Sequence, residues 1–242
     1  MNNVVIVTGG SAGIGAAIVN NFAAQGHLVY NLDIKPGKVG VWLNCDVTKI
    51  AQVKASIAAI ISQHQRIDVL VCNAGMHLSG NIEQTDEETL DRVLNLNVKS
   101  YYYAIQACLP TMKQAQQGSI VLLGSDQCKI AKPHSFAYNL SKHAIASMAK
   151  TTAIDYAAFN IRVNAVCAGT TETPLYHQAI EAYCERANRN KEEVHQEEAA
   201  LQPLGRIAQP KEIADLVDFL AGNKSRFITG SLYSIDGGYT AQ

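Results

Sequence analysis

The sequence predicts an α/β fold, a single doubly wound parallel sheet with helices on both faces, and three observations predict it. Short runs that are apolar at nearly every position recur along the chain: Val4 to Val7, His27 to Leu32, Val41 to Cys45, Val69 to Cys72, Ser119 to Leu123, Arg162 to Val166 and Leu232 to Ile235. Such runs belong to strands buried on both faces rather than to strands with one wet side. Amphipathic stretches separate most of them, and strand–helix alternation implies a parallel sheet sandwiched between helices. The third observation is a glycine-rich turn directly after the first run, where a doubly wound sheet feeds its first helix.

Length and charge agree with that architecture and exclude several functions. A chain of 242 residues, 48% hydrophobic and 17% charged, suits one domain spanning 1–242, with enough core to need neither a disulfide nor a structural metal. Basic side chains number 20 and acidic ones 21, so no broad field attracts nucleic acid or an anionic membrane. No apolar run reaches the length of about 18 residues that a membrane span needs. The chain enters its first strand without a basic segment or cleavage site, and a soluble cytoplasmic protein is expected. The six cysteines, Cys45, Cys72, Cys108, Cys128, Cys167 and Cys184, show neither CxxC pairing nor zinc-site spacing. They are expected as free thiols in a reducing compartment, with no metal bound.

Taken in order, the first strand runs into Thr8-Gly9-Gly10-Ser11-Ala12-Gly13-Ile14-Gly15 and then into a helix carrying Ile18, Val19 and Phe22 as far as Gly26. Glycine there permits the turn off the strand, lets backbone N–H groups reach a pyrophosphate and lets the helix lie close on the sheet. The second strand ends at Asp33, eighteen residues after Gly15, where a carboxylate accepts hydrogen bonds from the adenosine ribose and repels a 2′-phosphate. That favours NAD over NADP. No Arg or Lys lies inside the glycine turn, while Lys35 close by keeps NADP open. Only residues 34–40 separate the second and third strands, too few for a crossover helix, so a tight Pro36-Gly37 connection is expected. From Pro174 to Pro203 there is instead a charged insertion, with Glu181, Glu185, Arg186, Arg189, Lys191, Glu192 and Glu193 at helix-compatible spacing. Those charges read as a solvated helical face, and a substrate lid is expected at about residues 170–203.

Tyr138-Asn139-Leu140-Ser141-Lys142 opens a helical run, and i,i+4 spacing sets phenol and ammonium on one face. Ser125 lies thirteen residues earlier, just past the strand that ends at Gly124, at the edge where doubly wound sheets bind ligands. A free tyrosine titrates at about 10; a neighbouring ammonium and an oxidised nicotinamide favour tyrosinate and make it a usable general acid/base.

On these motifs the chain resembles the short-chain dehydrogenase/reductase family over its entire length. Thr8-Gly9-xxx-Gly13-x-Gly15, Asp46-Val47, Asn73-Ala74-Gly75, Asn97 within Leu96-Asn97-Val98, Ser125 and Tyr138-xxx-Lys142 occur in the family's order. The resemblance implies a Rossmann-like domain and an NAD-dependent oxidoreductase that interconverts a secondary alcohol and a ketone by hydride transfer. By it, Tyr138 exchanges the proton and Ser125 hydrogen-bonds the substrate oxygen. Lys142 binds the nicotinamide ribose and lowers the tyrosine's pKa, and Asn97 holds a water in a proton relay. It assigns Gly9, Ser11, Gly13, Ile14, Gly15 and Asp33 to cofactor binding, Asp46 and Val47 to the adenine, Asn73, Ala74 and Gly75 to the length of the cofactor, and Thr171 and Thr173 to the carboxamide. One departure is Ala168-Gly169, where the family usually has Pro-Gly. Losing that proline frees φ and restores an N–H, which implies a looser lid hinge.

The cleft mouth is expected to carry Asp126, Gln127, Cys128, Lys132, His134, His77, Tyr176 and His177, with Gln127, His134 and Tyr176 as candidate substrate contacts. So polar a mouth suits a small hydroxy acid, sugar or sugar acid better than a steroid or long acyl chain. The resemblance is nearest to the short cytosolic (R)-3-hydroxybutyrate and deoxy-sugar-acid dehydrogenases, and Ser125-Asp126 is also similar to dihydrodiol dehydrogenases. A 3-oxoacyl reductase of the same family is an alternative. A non-catalytic NAD-binding sensor or scaffold would have a broken catalytic set, whereas Asn97, Ser125, Tyr138 and Lys142 are all present. The helix with Tyr101, Tyr102 and Tyr103, and the tail Asp236-Gly237-Gly238-Tyr239, resemble family segments that pack between subunits, so a homotetramer is expected. The alternative for the three tyrosines is a helix half in the core and half exposed.

Overall fold

The computed structural model describes residues 2–242. Each apolar run is a strand: β1 Val4–Thr8, β2 Leu28–Asp33, β3 Val41–Asn44, β4 Val69–Cys72, β5 Gly118–Leu123, β6 Ile161–Ala168 and β7 Leu232–Ile235. They form one sheet in the order β3-β2-β1-β4-β5-β6-β7, every neighbouring pair parallel. The central runs are apolar throughout because the sheet is covered twice there, whereas the edge strand β3, expected to be buried on both faces, leaves Val41 and Trp42 exposed because no helix follows β2 to cover it. Along β1, Val5 and Val7 belong to one core and Val4 and Ile6 to the other, as the two-residue period of a strand requires.

Helices α1 Gly13–Ala24 and α8 Pro210–Ala221 lie side by side on one face. Their Ile18, Phe22, Ile213, Val217 and Leu220 close over Val5, Val7, Val121 and Leu123. On the other face α2 Ile50–His64, α4 Ser100–Ala115 and α5 Phe136–Tyr156 press Ile57, Ile60, Met112 and Ile145 against Ile6, Leu70 and Ile120. Each such side chain contributes roughly 1.5–3 kcal/mol on burial. Residues 34–40 return the chain from β2 to β3 without a helix, and Trp42 on that edge strand donates its indole N–H to the Asp33 carbonyl at 2.9 Å.

The long helix expected around Asn97 is interrupted. Helix α3 Glu87–Leu94, whose N-cap Asp86 accepts from the Thr89 N–H at 2.8 Å, passes into a π-helical turn, Asn95–Lys99, before α4 begins. Such a turn inserts one residue into the ladder and re-aims the side chains around it. Here it directs a fully buried Asn97 at the segment after β4. The charged insertion forms α6 Pro174–Ala187 and α7 Lys191–Ala200, capped by Thr173 and Asn190. Arg189 makes a bidentate pair with Glu197 at 3.0 and 2.7 Å on its solvent side. Ala168, at the departure noted above, ends β6, and the Gly169 N–H donates to the Ile235 carbonyl of β7 at 3.0 Å.

Five cysteines are buried and Cys184 is half-buried, all free thiols. Among the described residues no cluster of three or more His, Cys, Asp or Glu side chains could hold a metal, and no helix is long and apolar enough to cross a membrane. The strand order reverses between β1 and β4, and there a crevice opens beyond the carboxyl ends of the strands.

Candidate active site

A cavity of about 560 Å³ fills that crevice, and its wall includes Gly9, Gly13, Ile14, Gly15, Asp33, Asp46, Val47, Asn73, Ala74, Gly75, Tyr138, Lys142 and Thr173. At one end the wall is backbone. No side chain caps α1, whose N-cap is Ala12, and Gly13, Ile14 and Gly15 present its first turn to the cavity. The partial positive charge of an uncapped helix terminus suits an anion such as a pyrophosphate. Side chains have no room at the turn. A Cβ on Gly15 would lie 2.1 Å from the Gly9 carbonyl oxygen, and Gly9, at φ +66°, would put one 2.8 Å from Ala74 Cα. Leu32, Ile34 and Val47 line the same end beside Asp46, an apolar slot suited to a flat base. These residues fit a dinucleotide.

Local hydrogen bonds hold this end in shape. The Asp33 carboxylate accepts from the Ser11 N–H at 3.1 Å and from the Lys35 N–H at 3.0 Å. The Ser11 hydroxyl donates to the Lys35 carbonyl at 2.5 Å and accepts from Asn31 at 2.9 Å. Asn31 also accepts from the Gly10 N–H at 2.8 Å, so one buried amide braces the whole glycine turn. Sequence reading missed Asn31; its signal is a lone amide inside the apolar run Leu28 to Leu32. Asn73 donates to the Thr8 and Gly9 carbonyls at 3.1 and 2.9 Å, tying the ends of β1 and β4 together while lining the cavity.

At the other end the wall is side chain. Tyr138 and Lys142 stand one turn apart on α5, with the Lys142 ammonium 5.4 Å from the phenol ring centre and donating to the Leu123 carbonyl at 2.9 Å. Burial pushes Lys142 down to about 8. Burial also raises Tyr138 well above an ordinary phenol, a hydrogen bond with Ser125 pulls it back, and the nearby Asp126 and Cys128 push it up. Desolvation of the phenolate is the largest effect on Tyr138 in the protein alone.

The Asn97 side chain is engaged by the segment after β4 and by α5. Its amide oxygen accepts from the Met76 N–H at 2.8 Å, and its amide nitrogen donates to the Met76 carbonyl at 2.9 Å and to Ser141 Oγ at 3.0 Å. Both amide protons are used. A relay water would have to sit on the remaining oxygen lone pair or on the backbone carbonyl.

Ser125 opens a short turn over Asp126–Cys128, and its hydroxyl donates to Asp126 Oδ1 at 2.5 Å. Lys132 Nζ lies 2.6 Å from Asp126 Oδ2. Cys128 sits buried beneath the turn, its thiol donating to the Lys142 carbonyl at 3.1 Å. His77 packs edge-on against Tyr138, ring centres 4.8 Å apart, and its Nε2 lies 3.2 Å from Ser135 Oγ, which donates to Gln127 Oε1 at 3.0 Å. Burial and the Lys132 charge lower the His77 pKa.

Ser11, Asn97, Ser125 and Gln127 stand behind the cavity wall, and other expected residues lie farther out. His134 is exposed, at φ +51°, and offers its backbone carbonyl to the Gly80 N–H at 2.9 Å. The Tyr176 hydroxyl is 2.9 Å from His195 Nδ1, inside the lid pair α6–α7, and burial pushes that phenol up to about 12. Thr171 donates to the Gly169 carbonyl at 3.0 Å, and His177 lies 3.5 Å from Glu172. The lid reaches the cavity through Thr173, Pro174 and Leu175 instead, and Met76 and Leu96 complete the wall. Thr173 is among the residues expected at the cofactor, whereas Pro174, Leu175, Met76 and Leu96 carry no chemistry that a sequence would flag.

A crevice shaped for a dinucleotide at the switch point of a parallel sheet, closed by a half-buried Tyr138 over a buried Lys142, defines a Rossmann-type oxidoreductase. The family profile described as enoyl-(acyl carrier protein) reductase matches residues 9–240, and the chain belongs to the short-chain dehydrogenase/reductase family. It is 43% identical to a short chain dehydrogenase family protein of Francisella tularensis, over 100% of both chains, with a TM-score of 0.93. It is 39% identical to the aldohexose dehydrogenase of Thermoplasma acidophilum in ligand-free form, covering 100% of this chain and 95% of that one, with a TM-score of 0.94. It is 33% identical to a cyclopentanol dehydrogenase of Comamonas, over 99% of this chain and 98% of that protein. The protein is thus an oxidoreductase of alcohols and ketones that uses a nicotinamide cofactor.

Proposed function

We propose that the protein is an NAD(H)-dependent dehydrogenase acting on a small polar hydroxylated substrate, with Tyr138 as general acid/base. The observation that carries this reading is the Tyr138–Lys142 pair, one helical turn apart, in the same cavity as the uncapped α1 terminus. When bound, the nicotinamide supplies or takes the hydride. In the oxidative direction the Tyr138 phenolate takes the carbinol proton, and in reduction the phenol returns it. Lys142, anchored by the Leu123 carbonyl, keeps a cation beside the phenol and holds the ribose. Ser125 fixes the substrate oxygen next to Tyr138, and Asn97 holds the Met76 wall rigid.

The preference for NAD rests on Asp33, whose carboxylate lines the cavity where the adenosine ribose hydroxyls would lie. The Ser11 hydroxyl is committed to Lys35 and Asn31, so it offers nothing to a 2′-phosphate. The likeness to aldohexose and cyclopentanol dehydrogenases supports a compact alcohol over an acyl chain. A homotetramer of reduced chains in the cytoplasm completes the reading. Tyr101 is core, whereas Tyr102 is exposed beside a groove of Leu109, Met148 and Tyr156 between α4 and α5 that a second copy would cover.

The test is a screen of purified protein with NAD⁺ and NADP⁺ against polyols, sugars, sugar acids, hydroxybutyrates and dihydrodiols, followed by absorbance of the reduced cofactor. Turnover of a small hydroxylated substrate with NAD⁺ is expected. A higher kcat/KM with NADPH than with NADH overturns the cofactor assignment, and a monomeric mass by light scattering overturns the assembly.

A further inference from the structure

A buried carboxylate stands one residue from Ser125, where oxidation has to build a second negative charge on Tyr138. Asp126 Oδ1 accepts from the Ser125 hydroxyl at 2.5 Å and from the Gln127 N–H at 2.8 Å. Ser125 Oγ is shared as well: it accepts from the Gln127 N–H at 3.2 Å and hydrogen-bonds with the Tyr138 phenol. Burial is the largest influence on that phenol, and the carboxylate adds to it as a charge that disfavours the phenolate. Asp126 also competes for the serine that bonds the phenol. Its Oδ2 is met by Lys132 Nζ at 2.6 Å and by no other hydrogen-bonding group among the described residues.

Lys132 is held in place from several sides. The amide of Asn139, next to Tyr138 on α5, donates to the Lys132 carbonyl at 2.9 Å and accepts from its N–H at 3.4 Å. The ring of Tyr239 lies 4.5 Å from the ammonium, a cation–π contact. Asp236 ties the tail that carries this ring, accepting from the Gly238 N–H at 3.1 Å and the Thr240 hydroxyl at 2.5 Å. An exposed pair of this kind contributes little, but here the Asp126 side chain is 3% exposed and would lose its one counter-charge without Lys132. The nearby Lys129 is turned to Ser234 Oγ at 2.8 Å instead. Tyr138 also faces Lys142 on its own helix, Cys128 on the turn, His77 after β4 and Tyr101 on α4. Lys132 faces Asp126, Tyr239 and His77.

We propose that Lys132 is a positioning residue of the reaction: held by Tyr239 against Asp126, it offsets the buried carboxylate so that Ser125 and Tyr138 can serve the substrate oxygen. The C-terminal tail is thereby part of the proton-transfer end of the cleft. This rests on the reading of Tyr138 as the acid/base.

The test compares wild type with Lys132→Met, Lys132→Arg and the double variant Lys132→Met/Asp126→Asn, each labelled with fluorotyrosine and saturated with NAD⁺. The fluorine NMR resonance of Tyr138, identified by its loss in Tyr138→Phe, follows the phenolate. Cyclopentanol oxidation follows the limb of kcat that rises with pH. Lys132→Met should move both titrations to higher pH by about one unit, which on the limb is a rate about tenfold lower at fixed pH. Lys132→Arg should restore them. The double variant, which lacks the carboxylate as well, should titrate at or below wild type, a reversal that damage to the turn cannot produce. It also stands in for a Lys132→Met chain that fails to fold, because removing both partners of a buried pair is tolerated where removing one is not. Tyr239→Leu should move the titration upward by less than Lys132→Met. A Lys132→Met titration that coincides with wild type, or a double variant displaced above wild type, overturns the proposal. A Tyr239→Leu titration that coincides with wild type overturns the part given to the tail. If the fluorine titrations move as expected while Tyr138→Phe still oxidises cyclopentanol, the acid/base reading alone falls.

Discussion

The two ends of the cleft are made of different material. At the α1 end the wall is backbone, an uncapped helix terminus and a glycine turn braced by Asn31, with Asp33 tied to two backbone N–H groups. At the α5 end Tyr138 and Lys142 form the wall, backed by side chains that satisfy one another: Ser125 on Asp126, Asp126 on Lys132, Lys142 on Leu123, Asn97 on Met76. The first end tolerates no added Cβ but holds its ligand largely through groups every residue possesses. The second tolerates small changes of shape and none of chemistry. Cofactor holding and proton transfer should therefore fail separately except at Lys142, which serves both.

The sharpest way to break the α1 end is Gly15→Ala, because its Cβ would sit 2.1 Å from the Gly9 carbonyl oxygen and the turn must move. Reduced-cofactor binding, followed by fluorescence, should weaken roughly 10- to 100-fold, the range of an overpacked site. An unchanged dissociation constant would show that the turn is not the wall we take it for.

Lys142→Met sharpens the comparison through stability rather than rate. The folded pKa is about 8 against an ordinary 10.5. Below pH 8 both states hold the proton and the folded state bears the desolvation cost; between 8 and 10.5 the unfolded state binds more protons, so this group's contribution to stability rises with pH. The methionine variant should be more stable at pH 7 by about 3 kcal/mol, with the advantage shrinking towards pH 10.5 while turnover falls. Denaturant melts at pH 7 and 10 check the sign.

Asp33→Ala should shift the NAD-over-NADP ratio of kcat/KM by about tenfold, the scale of one relieved like-charge contact. Tyr176→Phe has the smallest expected effect. Because that hydroxyl meets His195 inside the lid, kcat/KM should change less than about twofold and stability by about 1 kcal/mol. A larger rate effect would return Tyr176 to the substrate.

The same contrast governs what could be read from sequence. The α1 end is legible because its signals are local: glycines immediately after a strand and a carboxylate at the end of the next. The Tyr138–Lys142 pair is legible for the same reason, one helical turn apart. Asp126, Lys132 and Tyr239 meet only through the fold, and neither spacing nor periodicity encodes the direction in which Ser125 gives its proton. The π turn at Asn97 escapes because inserting one residue barely disturbs an apolar stripe. Tyr176 is legible as a lid residue, but its side chain turns towards His195 for reasons that lie in α7. The Tyr138 pKa depends on burial, which a motif does not report.

The separation of holding from chemistry is tested most directly by Tyr138→Phe, with kcat, its pH profile and the reduced-cofactor dissociation constant measured on one preparation. Turnover should fall by about 10² to 10⁴ and lose the limb that rises with pH in alcohol oxidation, while the dissociation constant stays within about twofold of wild type. Substantial turnover in that variant, or cofactor affinity lost along with turnover, would contradict it.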